Sequence, residues 1–355
     1  MTIIRFYLIR EIVKGSLFAL ILLVTLVNLF SLTDELKDLG KGSYDLMQIF
    51  WYLTLSTPSV LHTLMPSSAL IGSIFVLGAM ANHREIVALR AGGLSIFWII
   101  RSVLMAGIIL IFISLIVGEW IAPKTERAAQ LLKTTAQNNR VMMKAKYGLW
   151  LREGNDFINV RQIAEKSELN DLSFYHLDEH YHLTAVTHAE QGQFIGQNQW
   201  QLQQLDKTHL FNRYSHTEKF SQQLWQTSIA PDLVDIVVVT TANLSSIELY
   251  KYIQFLKRNN QKSQVFEAAF WSRIVNPLVT LSMLLVSAPF MIGIKRDTSI
   301  GGRLIIGIVL GLSFNIIDQI ISHLGIVYYL NPIMMALLPS SLVLIGAGIA
   351  IQRLR

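Results

Sequence analysis

The sequence predicts an α+β membrane protein: three transmembrane helices, an inserted β-rich domain facing away from the cytoplasm, and three further transmembrane helices. Three observations carry this. Hydrophobic residues make up 52% of the 355 and charged residues only 15%, far more apolar than ordinary soluble usage. Uncharged apolar runs near or above the roughly 20 residues that a helix needs to cross a bilayer occupy both ends of the chain. Between them lies a polar stretch in which short strand-forming segments alternate with turn signals.

The first span runs from Gly15 to Leu32. It lacks the small-residue cleavage site of a signal peptide and is expected to remain as an anchor. Leu46 to Asn82 is the second, with Pro58 and Pro66 inside it, so a kinked helix with interfacial or tilted excess length is expected. Val103 to Ile121 is the third, interrupted by Glu119 near its end. Ile274 to Ile294, Leu304 to Ile317 and Gly325 to Ile351 supply the rest. The domain boundaries follow as 1–123, 124–267 and 268–355.

Orientation comes from Lys and Arg, which short cytoplasmic loops retain. One side collects Arg5, Arg10, Lys14, Arg84, Arg90, Arg101, Lys295, Arg296, Arg303, Arg353 and Arg355. The opposite loops are Asp34 to Asp45, where acids outnumber Lys37 and Lys41, and His323 to Pro332, which has no Lys, Arg, Asp or Glu. Both termini are therefore expected inside the cell and the central domain outside.

Within that domain Tyr147 to Leu151, Phe157 to Val160, Leu172 to Leu177, Thr184 to Val186, Gln193 to Ile195, Trp200 to Leu205 and Ile236 to Val239 read as strands, a pattern that favours a sandwich or jelly roll. Ser245 to Lys257 reads as a helix whose apolar face is Ile247, Tyr250, Ile253 and Leu256, suited to lying along a membrane surface.

The net charge of +6 does not point to nucleic acid, because the basic residues sit at the ends of hydrophobic runs and form no basic face with interleaved aromatics. With no cysteine, disulfides, thiolate metal sites and Cys nucleophiles are excluded. Gly40-Lys41-Gly42 lacks the hydroxyl residue of a phosphate loop, and H-E-x-x-H, G-x-S-x-G and EF-hand patterns are absent from the sequence, so no catalytic residue is assigned. His176, His180, His182 and His188 cluster in the β region without carboxylates at known ligand spacing, and read as strand residues with no metal. Glu119 and Asp318 lie within or beside spans, where a charge costs about 2.5–3.5 kcal/mol on insertion scales, so each should face protein, water or the interface. Asn28, Asn276 and Asn315 read as inter-helix hydrogen-bond formers.

Two patterns bear on function. Asn82 to Gly93 reads as a short helix between spans, capped by Asn82 with Glu85 three residues on and ended by Gly92 or Gly93. Such a helix suits docking into a cytoplasmic partner as a rigid lever, although Glu85 equally fits a capping box. On the outer side Lys37, Lys41, Lys124, Arg127 and Lys133 flank span ends, placed either for the phosphates of an anionic amphiphile or for ordinary snorkelling.

Taken in order, Asp34-Glu35-Leu36-Lys37-Asp38-Leu39-Gly40-Lys41-Gly42-Ser43-Tyr44, then Pro66, Leu70, Gly72, Leu77, Gly78, Glu85 and Gly93, then Gly118-Glu119-Trp120-Ile121-Ala122-Pro123, and finally Asp318-Gln319 and Leu338-Pro339-Ser340 resemble the LptF/LptG permease family of the lipopolysaccharide export machine. The resemblance covers nearly the whole chain. It implies six transmembrane helices with a periplasmic β-jelly roll, residence in the bacterial inner membrane, and assembly with the LptF permease, a dimer of the ATPase LptB and the single-span LptC. ATP would bind to that ATPase, leaving this chain without a cofactor. It implies that lipopolysaccharide enters a cavity lined by spans such as the first and fifth and passes to a periplasmic bridge. Lys37 matches a family lysine at the lipid A phosphates, whereas Ser31 and Asp38 depart from the family pattern. Glu85 matches the coupling-helix acid, and the expected ATPase contacts are Arg84, Glu85, Leu89 and Arg90. The rival readings are a membrane-anchored envelope-lipid enzyme and a mechanotransmitting sensor permease.

Overall fold

The computed structural model describes residues 2–137, 149–165, 168–178, 180–196, 198–211, 214–227, 244–259, 261–292 and 300–352. Among the described residues six helices are long and apolar enough to cross a membrane. By contacts the chain divides into two compact units: Met1–Lys37, Leu53–Glu126 and Gln264–Arg355 form one, Asp38–Tyr52 and Arg127–Ser263 the other.

In chain order the helices begin with α1 (Thr2–Glu35) and α2 (Leu46–Asn82). α1 starts well before Gly15 because its first turns are helix formers without Gly or Pro, and they bury Leu8 and Ile12 completely. A short helix, α3 (Glu85–Ala91), leads to α4 (Ile96–Ile116), a π turn (Val117–Ile121) and α5 (Ala122–Ala136). After the β region come α6 (Ser246–Arg258), α7 (Gln264–Ile292), α8 (Ile300–Val327) and α9 (Pro332–Gln352). α8 runs ten residues past Ile317, so Gly325 lies inside it and the last span starts at Pro332 instead of Gly325. Residues 293–299 and 353–355, with Lys295, Arg296, Arg353 and Arg355, lie outside the described residues.

α2 is the hub of this unit. Its most apolar window is 72% buried, against 17% for α8 and α9 and 22% for α1, so those three present most of their apolar side chains outward, as lipid-facing helices do. The main core joins α1, α2, α3, α4 and α7 through Leu8, Met65, Leu77, Ile86, Ile99 and Leu284. A Cβ at Gly72 would collide with the backbone at Gly15 and Ser16, and one at Gly15 with Val76. α1 and α2 thus touch backbone to backbone, the small-residue packing by which membrane helices gain contact. Asn28 Nδ2 donates to Thr57 Oγ1 at 3.1 Å and Asn315 Nδ2 to Ser67 Oγ at 3.0 Å, the inter-helix bonds expected of them.

In the other unit six antiparallel strands follow chain order as a meander: β1 (Leu149–Glu153), β2 (Asp156–Glu165), β3 (Glu168–Leu177), β4 (Leu183–Gly196), β5 (Gln199–Leu210) and β6 (Ser215–Gln226). Thr184–Val186 and Gln193–Ile195, read as two strands, are one. Ile236 to Val239, like Tyr147, lies outside the described residues. A crease explains the misreading. The ladders skip Arg161 opposite Asp171, Asp171 opposite Glu190, Glu190 opposite Gln204, and Gln204 opposite Ser221. Asp171 and Gln204 there have φ of 56° and 52°, and the buried series steps by three, from Leu169 to Leu172 and from Leu202 to Leu205. Strict alternation breaks at the crease while the same face stays inward.

α6 starts from a capping box: Ser245 Oγ accepts from Glu248 N, and the Glu248 carboxylate accepts from Ser245 N at 2.9 Å. Its buried face is Leu249, Tyr252, Ile253 and Leu256, a helical i, i+3, i+4, i+7 stripe. The expected face was displaced: Ile247 and Tyr250 are 67% and 54% exposed, because three-residue spacing drifts off a 3.6-residue stripe.

Replacing Gly72 by Leu is expected to push α1 off α2 and to destabilise the first unit by about 1–3 kcal/mol. A melting curve of the purified protein in detergent checks this, and an unchanged midpoint would contradict the contact.

Candidate functional site

Four of the five cations expected to meet an anionic ligand are already paired. In the first unit Lys37 Nζ lies 2.6 Å from Asp34 Oδ1, both side chains more than 70% exposed, and Lys124 is exposed with no ion-pair partner among the described residues. In the second unit Asp38 gathers two lysines: Lys41 Nζ at 2.5 Å and Lys133 Nζ at 3.2 Å. The Lys133 ammonium also stands 5.1 Å from the Tyr52 ring centre, a cation–π contact. Arg127 Nη2 binds Glu248 of α6. The exposed Lys37–Asp34 pair contributes only about 0–1 kcal/mol, so an incoming phosphate can displace that carboxylate at little cost.

Burial pushes the Glu248 carboxyl up, but the Ser245 backbone N–H and hydroxyl and the Arg127 guanidinium outweigh it, and the group sits below the ordinary carboxylate value.

The short helix α3 departs from its expected cap. Asn82 ends α2, and the residue before α3 is Arg84, with φ 60° and no side-chain capping bond. Asn82 is therefore not the N-cap of α3, and the Glu85 carboxylate accepts from Tyr7 Oη of α1 at 3.2 Å. At the other end Gly92 caps and Gly93 turns the chain with φ 88°, as expected. Ile86 is buried in the main core, while Arg84, Val87 and Arg90 are exposed and Glu85 and Leu89 half-buried. One face of α3 is thus fixed to the bundle and the other is open.

Inside the bundle lies a polar cluster that the sequence reading located only through Glu119 and Asn276. Glu119 pairs with Arg273 of α7 at 3.5 Å, and Asn276 meets His62 of α2 at 3.3 Å. His62 and Arg273 carried no motif that would have singled them out. The β-domain histidines sit beside aspartates: His176 Nδ1 is 2.9 Å from Asp156, His182 Nδ1 3.3 Å from Asp178 and His188 Nδ1 3.8 Å from Asp171. Among the described residues no group of three or more potential ligands could hold a metal.

Six apolar helices, a strand-rich insertion and a short, outward-facing helix between the second and third spans define a polytopic membrane protein of the transport-permease type. The family model described as "Lipopolysaccharide export system permease LptF/LptG" matches residues 6–353, and the chain belongs to that family, the permease subunits of lipopolysaccharide export. It is 31% identical over 337 residues to the lipopolysaccharide export system permease protein LptG of Escherichia coli strain K12, covering 94% of each chain. It is 30% identical over 335 residues to the LptG of Haemophilus influenzae, again covering 94% of each.

Because the folded-state value of Glu248 is lowered, its contribution is present above the ordinary carboxylate range near about 4.3 and is lost as pH falls through the lowered value. Glu248→Gln keeps the capping geometry but removes the charge facing Arg127. Hydrogen exchange of α6 amides is expected to accelerate by about fivefold at pH 7, about 1 kcal/mol, and to match the unsubstituted protein in acid, once pH has fallen below the lowered Glu248 value. Equal exchange at both pH values would contradict the charge pairing.

Proposed function

We propose that this chain is an inner-membrane permease half of an ABC transporter that takes lipopolysaccharide from the membrane and hands it to a periplasmic bridge, with ATP hydrolysed by a separate subunit. The partners in this reading are an LptF permease, an LptB ATPase dimer and LptC. Both termini and α3 face the cytoplasm, and the β unit faces the periplasm, in line with the Lys and Arg distribution.

The observation that carries the reading is α3 itself. It is seven residues long, bolted to the bundle by buried Ile86 and by the Tyr7–Glu85 bond, and it offers Arg84, Val87 and Arg90 outward. A rigid helix with one face in the core and one face open converts movement of a docked partner into movement of α1 and α4, which share that core. The chain itself has no phosphate-binding loop, so the energy enters there. Arg84, Glu85, Leu89 and Arg90 are the contacts we assign to the ATPase.

For the lipid A phosphates we assign Lys37 and Lys124 in the first unit and Lys41, Arg127 and Lys133 in the second. The carboxylates Asp34, Asp38 and Glu248 hold four of these five cations in the ligand-free state. Acids in those places keep these cations from trapping every anionic lipid they meet, so binding becomes an exchange of one acceptor for another.

Glu85→Lys is expected to weaken ATPase co-purification and ATP-driven lipopolysaccharide release by about tenfold or more, a reversed charge at a docked contact costing about 2–5 kcal/mol; unchanged release would remove the coupling role. Asp38→Asn, which leaves Lys41 and Lys133 without their shared acid, is expected to tighten lipopolysaccharide binding by about fivefold, or about 1 kcal/mol. Titration of the purified complex reads this directly, and unaltered affinity would take both lysines out of the binding set.

A further inference from the structure

The third span loses its α-helical pattern where it leaves the apolar run, and the reason can be followed atom by atom. Ala122 N donates to Val117 O, five residues back, so the Gly118 carbonyl, which an α-helix would pair with Ala122, loses that donor. The next donor in the π pattern would be residue 123, which is Pro123 and has no N–H. A regular helix would also drive the Pro123 ring into the Glu119 carbonyl, a clash that the wider turn avoids.

Gly118 O therefore takes its hydrogen bond from another helix: Arg273 Nη1 of α7 donates at 3.1 Å. The Arg273 side chain is 12% exposed and its charge faces Glu119. One turn earlier His62 of α2 docks onto the same helix, with Nδ1 3.1 Å from Ser114 O and 3.0 Å from Ser114 Oγ. A carbonyl only accepts, so Nδ1 carries the proton and Nε2 accepts from Asn276 Nδ2. A Cβ at Gly118 would run into the imidazole; glycine there is what lets His62 reach the turn.

We propose that Val117–Ile121 is a bending joint, latched by Arg273 and His62, on which the helix beyond Ile121 swings during the transport cycle. The inference rests on the export reading only in assuming a nucleotide-driven cycle. A turn that has given up backbone bonds bends more easily than the helix on either side. Its replacement donor is a guanidinium with five N–H groups on a long stem, which can follow the Gly118 carbonyl through an angle that a backbone amide cannot. A half-buried ion pair inside a span is costly to keep, and an unbroken helix would have satisfied the carbonyl without one.

The test uses the complex with its ATPase reconstituted in lipid. Thr125→Cys and Ile274→Cys give two spin-labelling sites in a chain that has no other cysteine, and their separation is measured without nucleotide and with vanadate-trapped ADP. A bend of about 20° acting over the roughly 9 Å from joint to label shifts the distance by about 3 Å. Pro123→Ala, which returns an N–H to the helix, is expected to cut that shift by at least half. An unmoved distance with the native joint overturns the proposal, as does an undiminished shift in the Pro123→Ala chain. Arg273→Lys, which keeps the charge but loses the fork, is expected to broaden the distribution already without nucleotide; an unbroadened one overturns the latch. ATP-driven lipopolysaccharide release by the unsubstituted complex is read alongside: its absence undoes the export reading, while release with a rigid joint undoes this one alone.

Discussion

Within hydrocarbon no water stands ready for a loose polar atom, and that constraint organises the membrane unit. Its hydroxyls mostly turn back on their own helices: Ser68 donates to Met65 O, Ser73 to Leu70 O, Ser102 to Trp98 O and Ser287 to Leu284 O. Such residues occupy an apolar helix without needing a neighbour. The asparagines, with an amide of two N–H donors, also reach a neighbour: Asn28 ties α1 to α2, and Asn315 bonds Gly311 O of its own helix while tying α8 to α2. Where Pro123 and Gly118 break the backbone pattern, a charged side chain from α7 completes it. The hub position of α2 follows, since most of these cross-helix bonds end on it.

Much of this was legible in the sequence because the bilayer reduces the question to length and polarity. The second span was readable to the residue, Leu46 to Asn82, since charged or helix-stopping neighbours bound it on both sides. The ends of α1 and α8 were not, because a helix continues beyond the membrane wherever propensity allows, and Gly325 sits in α8 without ending it. In the β unit the strands with buried aromatic or aliphatic alternation stood out. β6 did not: Ser215–Gln226 is exposed along almost its whole length, so no apolar periodicity marks it. β4 was split in two because alternation fails at Glu190. Two of the four residues expected on the α6 stripe, Ile247 and Tyr250, fell outside it for lack of a tertiary partner to fix its phase.

The site residues were legible as charges but not as pairs. Lysines at span ends advertise an anionic partner, whereas the ion pairs from Lys133 to Asp38 and Arg127 to Glu248 join residues about 95 and 121 positions apart, and no spacing rule reaches so far. The same holds for Tyr7 and Glu85. Sequence reasoning finds what a single element must do; the assignment of each acid to its base needs the fold.

The crease across the sheet has a further consequence for how this unit assembles. A strand as polar as β6 has little to prevent it from sliding along its neighbour, since it has no wrong face to bury. Here the left-handed residues of β3 and β5 must stand opposite the interruptions in β2, β4 and β6. They act as notches cut at matching heights in adjoining slats. Displaced by one step, Asp171 or Gln204 would meet an intact ladder with a backbone it cannot pair, so the alignment of β6 is keyed by geometry where hydrophobicity is silent.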